Sequence, residues 1–98
     1  MLVCRVIGQA VSTVKDEGLR AAPLQLVRVV DPAGADVEGA EAFVAVNAVG
    51  AGDGELVLVA LGSAARAVER VEGPVDAAIV AIIDSLTVDG ARSYDRNG

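Results

Sequence analysis

The chain has 98 residues, of which 53% are hydrophobic, yet it contains one Phe, one Tyr and no Trp. Fourteen acidic and eight basic residues give a formal net charge of −6, and the basic residues are spread along the chain. Nucleic-acid binding needs several bases on one face, or aromatic side chains for stacking, so this composition excludes it. We expect a single domain over residues 1–98, with a tail from about residue 90 and an aliphatic core that favours self-association.

Metal, disulfide and membrane roles are also disfavoured. Cys4 has no partner cysteine and the chain has no histidine, so there is no zinc-type ligand set, and we predict no metal and no cofactor. Arg5 interrupts an N-terminal apolar run that is too short for a signal peptide. The longest apolar run, residues 77–83, is far below the roughly 20 residues that span a bilayer. We therefore expect a cytoplasmic protein without a membrane partner.

The first half of the chain reads as three strands. The predicted strands cover residues 2–7, 24–31 and 42–46, and Gly8 marks a bulge after the first. A polar turn at residues 15–18 separates the first two. Residues 31–34 (Asp-Pro-Ala-Gly) fit a type I turn, and the acidic residues 35–41 form a loop.

The second half begins with a glycine loop, residues 49–55, in which glycines stand at positions 50, 52 and 54. A fourth strand over 55–61 follows, and then a short helix over 63–71 with Ser63 as its N-cap, ended by Gly73-Pro74. A fifth strand is predicted over 78–88. The pair Asp89-Gly90 predicts a hairpin turn into a short strand over 91–94, and residues 95–98 are expected to fray.

The strands lack the alternation of apolar and polar residues that is typical of a sheet with one wet face. Both faces are apolar in residues 56–61 and again in 78–83. A closed barrel covers one face of each strand, and a second copy of the chain is the simplest cover for the other. The pattern therefore predicts a small β-barrel that buries part of its outer wall in a homo-oligomer.

No catalytic site can be assembled from the sequence, and we do not expect an enzyme. The glycine loop leads into a strand, whereas phosphate-binding glycine loops lead into a helix. Ser63 has no histidine as a base, and we expect Asp76 to cap backbone N–H groups and Asp84 to pair with an arginine. The alternative is a small-ligand or anion-binding regulatory barrel that uses the helix start at Ser63 together with Arg66.

Five segments in register resemble the EutN/CcmL family, the pentameric vertex proteins of bacterial microcompartment shells, including carboxysomes. The resemblance extends from about residue 6 to residue 88. The segments are 11–13 (Val-Ser-Thr), 18–20 (Gly-Leu-Arg), 49–55 (Val-Gly-Ala-Gly-Asp-Gly-Glu), 62–66 (Gly-Ser-Ala-Ala-Arg) and 74–84 (Pro-Val-Asp-Ala-Ala-Ile-Val-Ala-Ile-Ile-Asp).

The resemblance implies a mainly β protein: a five-stranded antiparallel barrel, OB-like in outline, with one short helix after the fourth strand. It implies a homopentamer with a structural function, which closes the vertices of a microcompartment shell in the cytoplasm. The partners would be further copies of the chain and the hexameric or trimeric proteins that tile the shell facets.

Residue roles carried over from the family concern contacts rather than chemistry. One group is implied to be interface or pore-proximal, namely Gly50, Ala51, Gly52, Gly54 and Glu55. A second group is assigned to subunit packing or shell contact, namely Gly62, Ser63, Ala64, Ala65, Arg66, Pro74 and Asp76. We further hypothesise that Arg66 pairs with Glu55 or Asp76 across the interface.

Overall fold

The computed structural model describes residues 1–11, 23–62 and 76–98, and all regular structure within these ranges is β-strand. The predicted helix over 63–71 lies outside them. The strands are β1 Leu2–Ala10, β2 Leu24–Val29, β3 Ala42–Asn47, β4 Leu56–Leu61, β5 Ala77–Ile82, β6 Ser85–Val88 and β7 Ala91–Asp95.

Five strands close into a barrel in the order β1-β2-β3-β5-β4, which confirms the predicted architecture. Four of the neighbouring pairs are antiparallel, but β3 and β5 run parallel, with Val46 opposite Ala78 and Asn47 opposite Ile79. The prediction of a wholly antiparallel barrel is wrong at this pair. The reason is parity: strand directions cannot alternate around a closed ring with an odd number of members.

The bulge predicted at Gly8 is present in β1. Val6 lies opposite Val27 and Gly8 opposite Leu26, so Ile7 is an extra residue without a partner in β2. An extra residue bends a strand and increases its local twist, which a small barrel requires of its longer strands. Ile7 is 38% exposed while Val6 is fully buried, so the bulge directs Ile7 away from the core.

The barrel interior is filled by small aliphatic side chains, as the composition predicted. Phe43, Leu2, Val29 and Ile82 close this cluster from its margins. Cys4 is buried in this cluster, and burial raises the pKa of its thiol to about 11. The fully enclosed members are Cys4, Val6, Val27, Ala45, Ala51, Val57, Val59, Ala77 and Ile79.

A second apolar cluster lies outside the barrel, under the hairpin of β6 and β7. Leu56 is fully buried there with Val30 and Ile83, and Leu86 and Tyr94 of the hairpin pack against them. The prediction that the outer wall is covered by another copy of the chain is thus incomplete. The chain itself covers the part of the wall around Leu56.

This cover exists because the predicted fifth strand, residues 78–88, is two strands in different sheets. β5 ends at Ile82 and β6 begins at Ser85, and β6 pairs only with β7. At the break, the Ile83 N–H donates to the Leu56 carbonyl at 2.9 Å, which holds the turning point against β4. The expectation of one continuous strand was wrong because an apolar run does not reveal where its chain leaves the sheet.

Candidate functional site

The glycine loop, residues 49–55, connects β3 to β4, and Asn47 holds its first half. The Asn47 side-chain oxygen accepts hydrogen bonds from the N–H groups of Gly50 at 2.9 Å and Ala51 at 3.0 Å. Its amide nitrogen donates to the Ala51 carbonyl at 2.8 Å. Asn47 is 5% exposed, so these bonds form out of water and fix the loop strongly. Sequence reasoning missed Asn47, although asparagine ahead of a glycine-rich turn is a known signal for this bonding pattern.

Backbone bonds to β1 hold the second half of the loop. The Gly54 N–H donates to the Val6 carbonyl at 2.7 Å, and the Val6 N–H donates to the Glu55 carbonyl at 2.9 Å. Between these anchors a tight turn forms in which the Glu55 N–H donates to the Gly52 carbonyl at 3.2 Å. The loop is therefore an ordered extension of the barrel wall.

The three glycines are present for different reasons. Gly50 and Gly54 have φ angles of +78° and +84°, which L side chains rarely adopt, so the backbone itself requires glycine there. Gly52 has no positive φ, and among the described residues a Cβ built on it would meet only Glu55 Oε1, at 3.4 Å. Within residues 1–11, 23–62 and 76–98, nothing thus demands glycine at position 52.

Arg5 links the loop to the turn at residues 31–34. Its guanidinium donates to the Gly54 carbonyl at 3.0 Å and to the Gly34 carbonyl at 2.9 Å, and its Nε lies 3.2 Å from Asp36 Oδ1. The predicted type I turn is confirmed by the Gly34 N–H, which donates to the Asp31 carbonyl at 2.9 Å. Arg5 was not among the predicted site residues, because its bonding partners come from distant parts of the chain.

Glu55 links the glycine loop to Arg96, which directly follows β7 at the open end of the β6–β7 hairpin. Its Oε1 accepts from the Gly52 N–H at 2.7 Å, and its Oε2 lies 2.6 Å from Arg96 Nε. The hypothesis that Glu55 pairs with Arg66 is untested, since Arg66 lies outside the described residues, but the carboxylate already has an arginine partner within the chain.

The residues after β7 are also bonded, which contradicts the expected fraying of 95–98. The Arg96 N–H donates to the Asp84 carbonyl at 2.8 Å, and Arg96 Nη1 lies 3.6 Å from Asp84 Oδ1, so Asp84 has the arginine partner predicted for it. The Asp95 carboxylate accepts hydrogen bonds from the Asn97 N–H and from the Arg92 guanidinium. These bonds lower the pKa of Asp95.

The bonding inside the glycine loop disfavours a phosphate site. A phosphate cradle needs several free backbone N–H groups directed at one point. Here the N–H groups of Gly50 and Ala51 donate to Asn47, that of Gly52 to Glu55, and that of Gly54 to the Val6 carbonyl. Glu55 also adds negative charge at the loop. The arrangement can present a rigid surface, but it offers an anion few donors.

Of the second group of predicted residues, the structure describes two and brings them together. The Gly62 N–H donates to the Asp76 carbonyl at 2.8 Å, directly beyond the pairing of Leu61 with Ala77. Gly62 has a φ of +61°, so its turn favours glycine. The remaining predicted residues, Ser63, Ala64, Ala65, Arg66 and Pro74, lie outside the described ranges.

Across residues 1–11, 23–62 and 76–98, no helix has the length and apolar character needed to cross a membrane. Within the same ranges, no three His, Cys, Asp or Glu side chains are grouped as a metal site.

Comparison with known proteins identifies the family. The family model described as ethanolamine utilisation protein EutN/carboxysome matches residues 1–84. The carboxysome shell vertex protein CcmL of Synechococcus elongatus is 41% identical over 97 residues, which cover 98% of this chain and 96% of the relative.

Solved structures agree with this match in fold. The structure of Gloeobacter violaceus CcmL superposes with a TM-score of 0.90 at 36% identity and covers all of both chains. The pentameric microcompartment shell protein GrpN of Rhodospirillum rubrum superposes with a TM-score of 0.78 at 36% identity, covering 90% of this chain and all of its own. A family model that spans most of the chain, full-length relatives and the same barrel together confirm the resemblance seen in the sequence motifs: this chain belongs to the EutN/CcmL family of microcompartment shell vertex proteins.

Proposed function

We propose that the chain assembles into a homopentamer that occupies the vertices of a bacterial microcompartment shell in the cytoplasm. Its role is structural: a shell tiled by hexagonal units cannot curve shut without five-fold corners, and a pentamer supplies them. The neighbours of each pentamer are then hexameric or trimeric shell proteins.

The observation that carries the proposal is the glycine loop. It is held rigid by Asn47, Val6 and Glu55, yet it contains no arrangement suited to catalysis or to anion binding. No contact among the described residues demands glycine at position 52, and close approach of another subunit is a physical reason for a residue without a Cβ there. We assign Gly50, Gly52, Gly54 and Glu55 to contacts between subunits near the five-fold axis, whereas the Ala51 side chain lies in the chain's own core.

Exposed apolar side chains on the barrel support self-association. Val49, next to the loop, is 39% exposed, and Val44 on β3 and Leu61 at the end of β4 are 44% and 43% exposed. A pentamer interface would remove such side chains from water and gain about 25 cal/mol for each Å² of apolar surface buried. We assign the turn around Gly62 and Asp76 to packing or to shell contact.

The alternative of an anion-binding regulatory barrel has less support. It depends on Ser63 and Arg66, which lie outside the described residues, and the relatives are named as shell proteins. The loop that first suggests phosphate binding has its N–H groups engaged by Asn47, Glu55 and Val6.

The proposal is tested by solution mass and by one substitution. Sedimentation equilibrium should give five times the 9.9 kDa protomer mass, and Gly52→Leu should leave a folded barrel that no longer forms the pentamer. Glu38→Leu, which adds the same side chain to the exposed acidic loop, is the matched control and should stay pentameric. If the wild-type protein is a monomer or a dimer, the vertex assignment is wrong. If the Gly52→Leu variant is still a pentamer, the glycine loop does not lie in the interface between subunits.

A further inference from the structure

We propose that Arg96, which directly follows β7 at the open end of the β6–β7 hairpin, holds the conformation of the glycine loop through Glu55. In this way Arg96 stabilises the pentamer. The inference rests on the proposed function, because it takes the loop to be a subunit contact. It assigns a positioning role to a residue in a segment that carries no family motif and that the sequence predicted to fray.

The first step is the position of Glu55 between a hydrogen bond to Gly52 and an ion pair with Arg96, whose Nε–H is not aligned for a hydrogen bond to Oε2. One carboxylate oxygen accepts from the Gly52 N–H at 2.7 Å, and the other lies 2.6 Å from Arg96 Nε. Because a carboxylate is planar and rigid, its orientation toward Arg96 also determines its orientation toward Gly52. The Glu55 side chain is 19% exposed, so most of it is withdrawn from water and depends on these partners for its charge.

The second step is that Arg96 is itself held in place. Its N–H donates to the Asp84 carbonyl at 2.8 Å, and the hairpin that delivers it is seated on the barrel by Leu86 and Tyr94, which pack against the buried Leu56. The backbone of Arg96 is therefore fixed near Glu55, and the guanidinium is also oriented by Asp84, whose Oδ1 lies 3.6 Å from Arg96 Nη1.

The third step is that no other described contact replaces this one at the centre of the loop. Asn47 holds Gly50 and Ala51, and Arg5 and Val6 hold Gly54, but Glu55 alone accepts the Gly52 N–H. Without Arg96, the bond to the Gly52 N–H is the one described contact left to the Glu55 carboxylate, and water competes for that bond. The segment around Gly52 would then sample several conformations, and subunits would have to select one before they bind, which weakens association.

The test compares Arg96→Ala with Arg92→Ala. Arg92 is the matched control because it lies on the same hairpin and pairs with Asp95 at 2.9 Å, away from the loop. Mass photometry over a dilution series should show half-dissociation of Arg96→Ala at a protomer concentration about tenfold above wild type, and a change of less than about twofold for Arg92→Ala. If Arg96→Ala and Arg92→Ala reach half-dissociation at the same protomer concentration, the proposal is wrong.

A double-mutant cycle tests whether Arg96 acts through Glu55. Glu55→Gln keeps an oxygen acceptor for the Gly52 N–H but removes the charge that attracts Arg96, so adding Arg96→Ala to it should have little further effect. Fully additive effects of the two substitutions would contradict the mechanism. Hydrogen exchange gives a readout that general destabilisation would not: the Gly52 amide should lose protection in Arg96→Ala while the amides of β1 and β4 keep theirs.

The outcomes separate this inference from the proposed function. A wild-type protein that is not pentameric refutes both. A pentameric wild type that Gly52→Leu disrupts but Arg96→Ala does not refutes only the role of Arg96. Weakened pentamers with unchanged protection of the Gly52 amide would also refute it, because Arg96 would then act by another route.

Discussion

Gly34 is the position at which the structure makes its sharpest prediction for stability. It lies in the turn of residues 31–34 with a φ of +92°, and a Cβ there would meet Leu56 Cδ1 at 2.9 Å and Leu86 Cδ1 at 3.2 Å. Leu56 is fully buried between the barrel and the hairpin and has little room to move. The substitution Gly34→Ala therefore strains the backbone and also overpacks the apolar cluster around Leu56, against which the β6–β7 hairpin packs.

The size of the effect follows from comparison with Gly39. Gly39 has a similar φ of +79°, but a Cβ there would meet no atom of the described part of the chain within 4 Å. An alanine at either position costs about 1–2 kcal/mol of backbone strain, and it lowers the entropy of the unfolded chain by the same amount. Both effects therefore cancel when the free energies of unfolding of the two variants are compared. Overpacking adds about 1–3 kcal/mol for Gly34→Ala alone. In a domain of this size, about 2 kcal/mol lowers the melting temperature by roughly 8–16 °C.

The assay is thermal denaturation followed by circular dichroism, at one protomer concentration for all variants because assembly contributes to stability. Gly34→Ala should melt roughly 8–16 °C below Gly39→Ala. If the two variants melt within about 3 °C of each other, the close contact with Leu56 does not exist as described. Hydrogen exchange should also show faster opening of the hairpin in Gly34→Ala than in Gly39→Ala.

Two further predictions concern buried polar and sulfur groups. Asn47→Ala leaves the N–H groups of Gly50 and Ala51 without their acceptor and should destabilise the protein by about 2–4 kcal/mol in urea denaturation. A loss below about 1 kcal/mol would refute the assigned bonds. Cys4, with a thiol pKa of about 11, should resist iodoacetamide at pH 7 in the folded protein and react once the chain is unfolded in urea. Rapid labelling without unfolding would show that Cys4 is not in the sealed barrel interior.

Much of the barrel was predictable because its signals are local. Glycine at positions 8 and 34, Pro32 and the apolar runs mark the bulge, a turn and the strands through backbone preferences and burial on both faces. The family motifs added the site residues Gly50, Gly52, Gly54 and Glu55. What could not be predicted from them is which contacts each residue makes, since Gly50 and Gly54 serve the chain's own backbone and Gly52 does not.

The parts that were missed depend on partners distant in sequence. Asn47 carried a local signal, but Arg5 contacts residues 29 and 49 positions away, and Arg96 reaches Glu55 only because the hairpin folds back over β4. An apolar run such as 78–88 reads as one strand, and the break after Ile82 appears only when Ile83 bonds to the Leu56 carbonyl.

The sequence by itself determined the β-rich character, the aliphatic core, the glycine loop and, through its motifs, the family, because composition, turn chemistry and short-range patterns are properties of neighbouring residues. Only the tertiary structure decided the parallel pairing of β3 with β5, the hairpin's place over Leu56 and the ion pair between Glu55 and Arg96. These depend on contacts between segments that are distant in sequence, which local patterns do not specify.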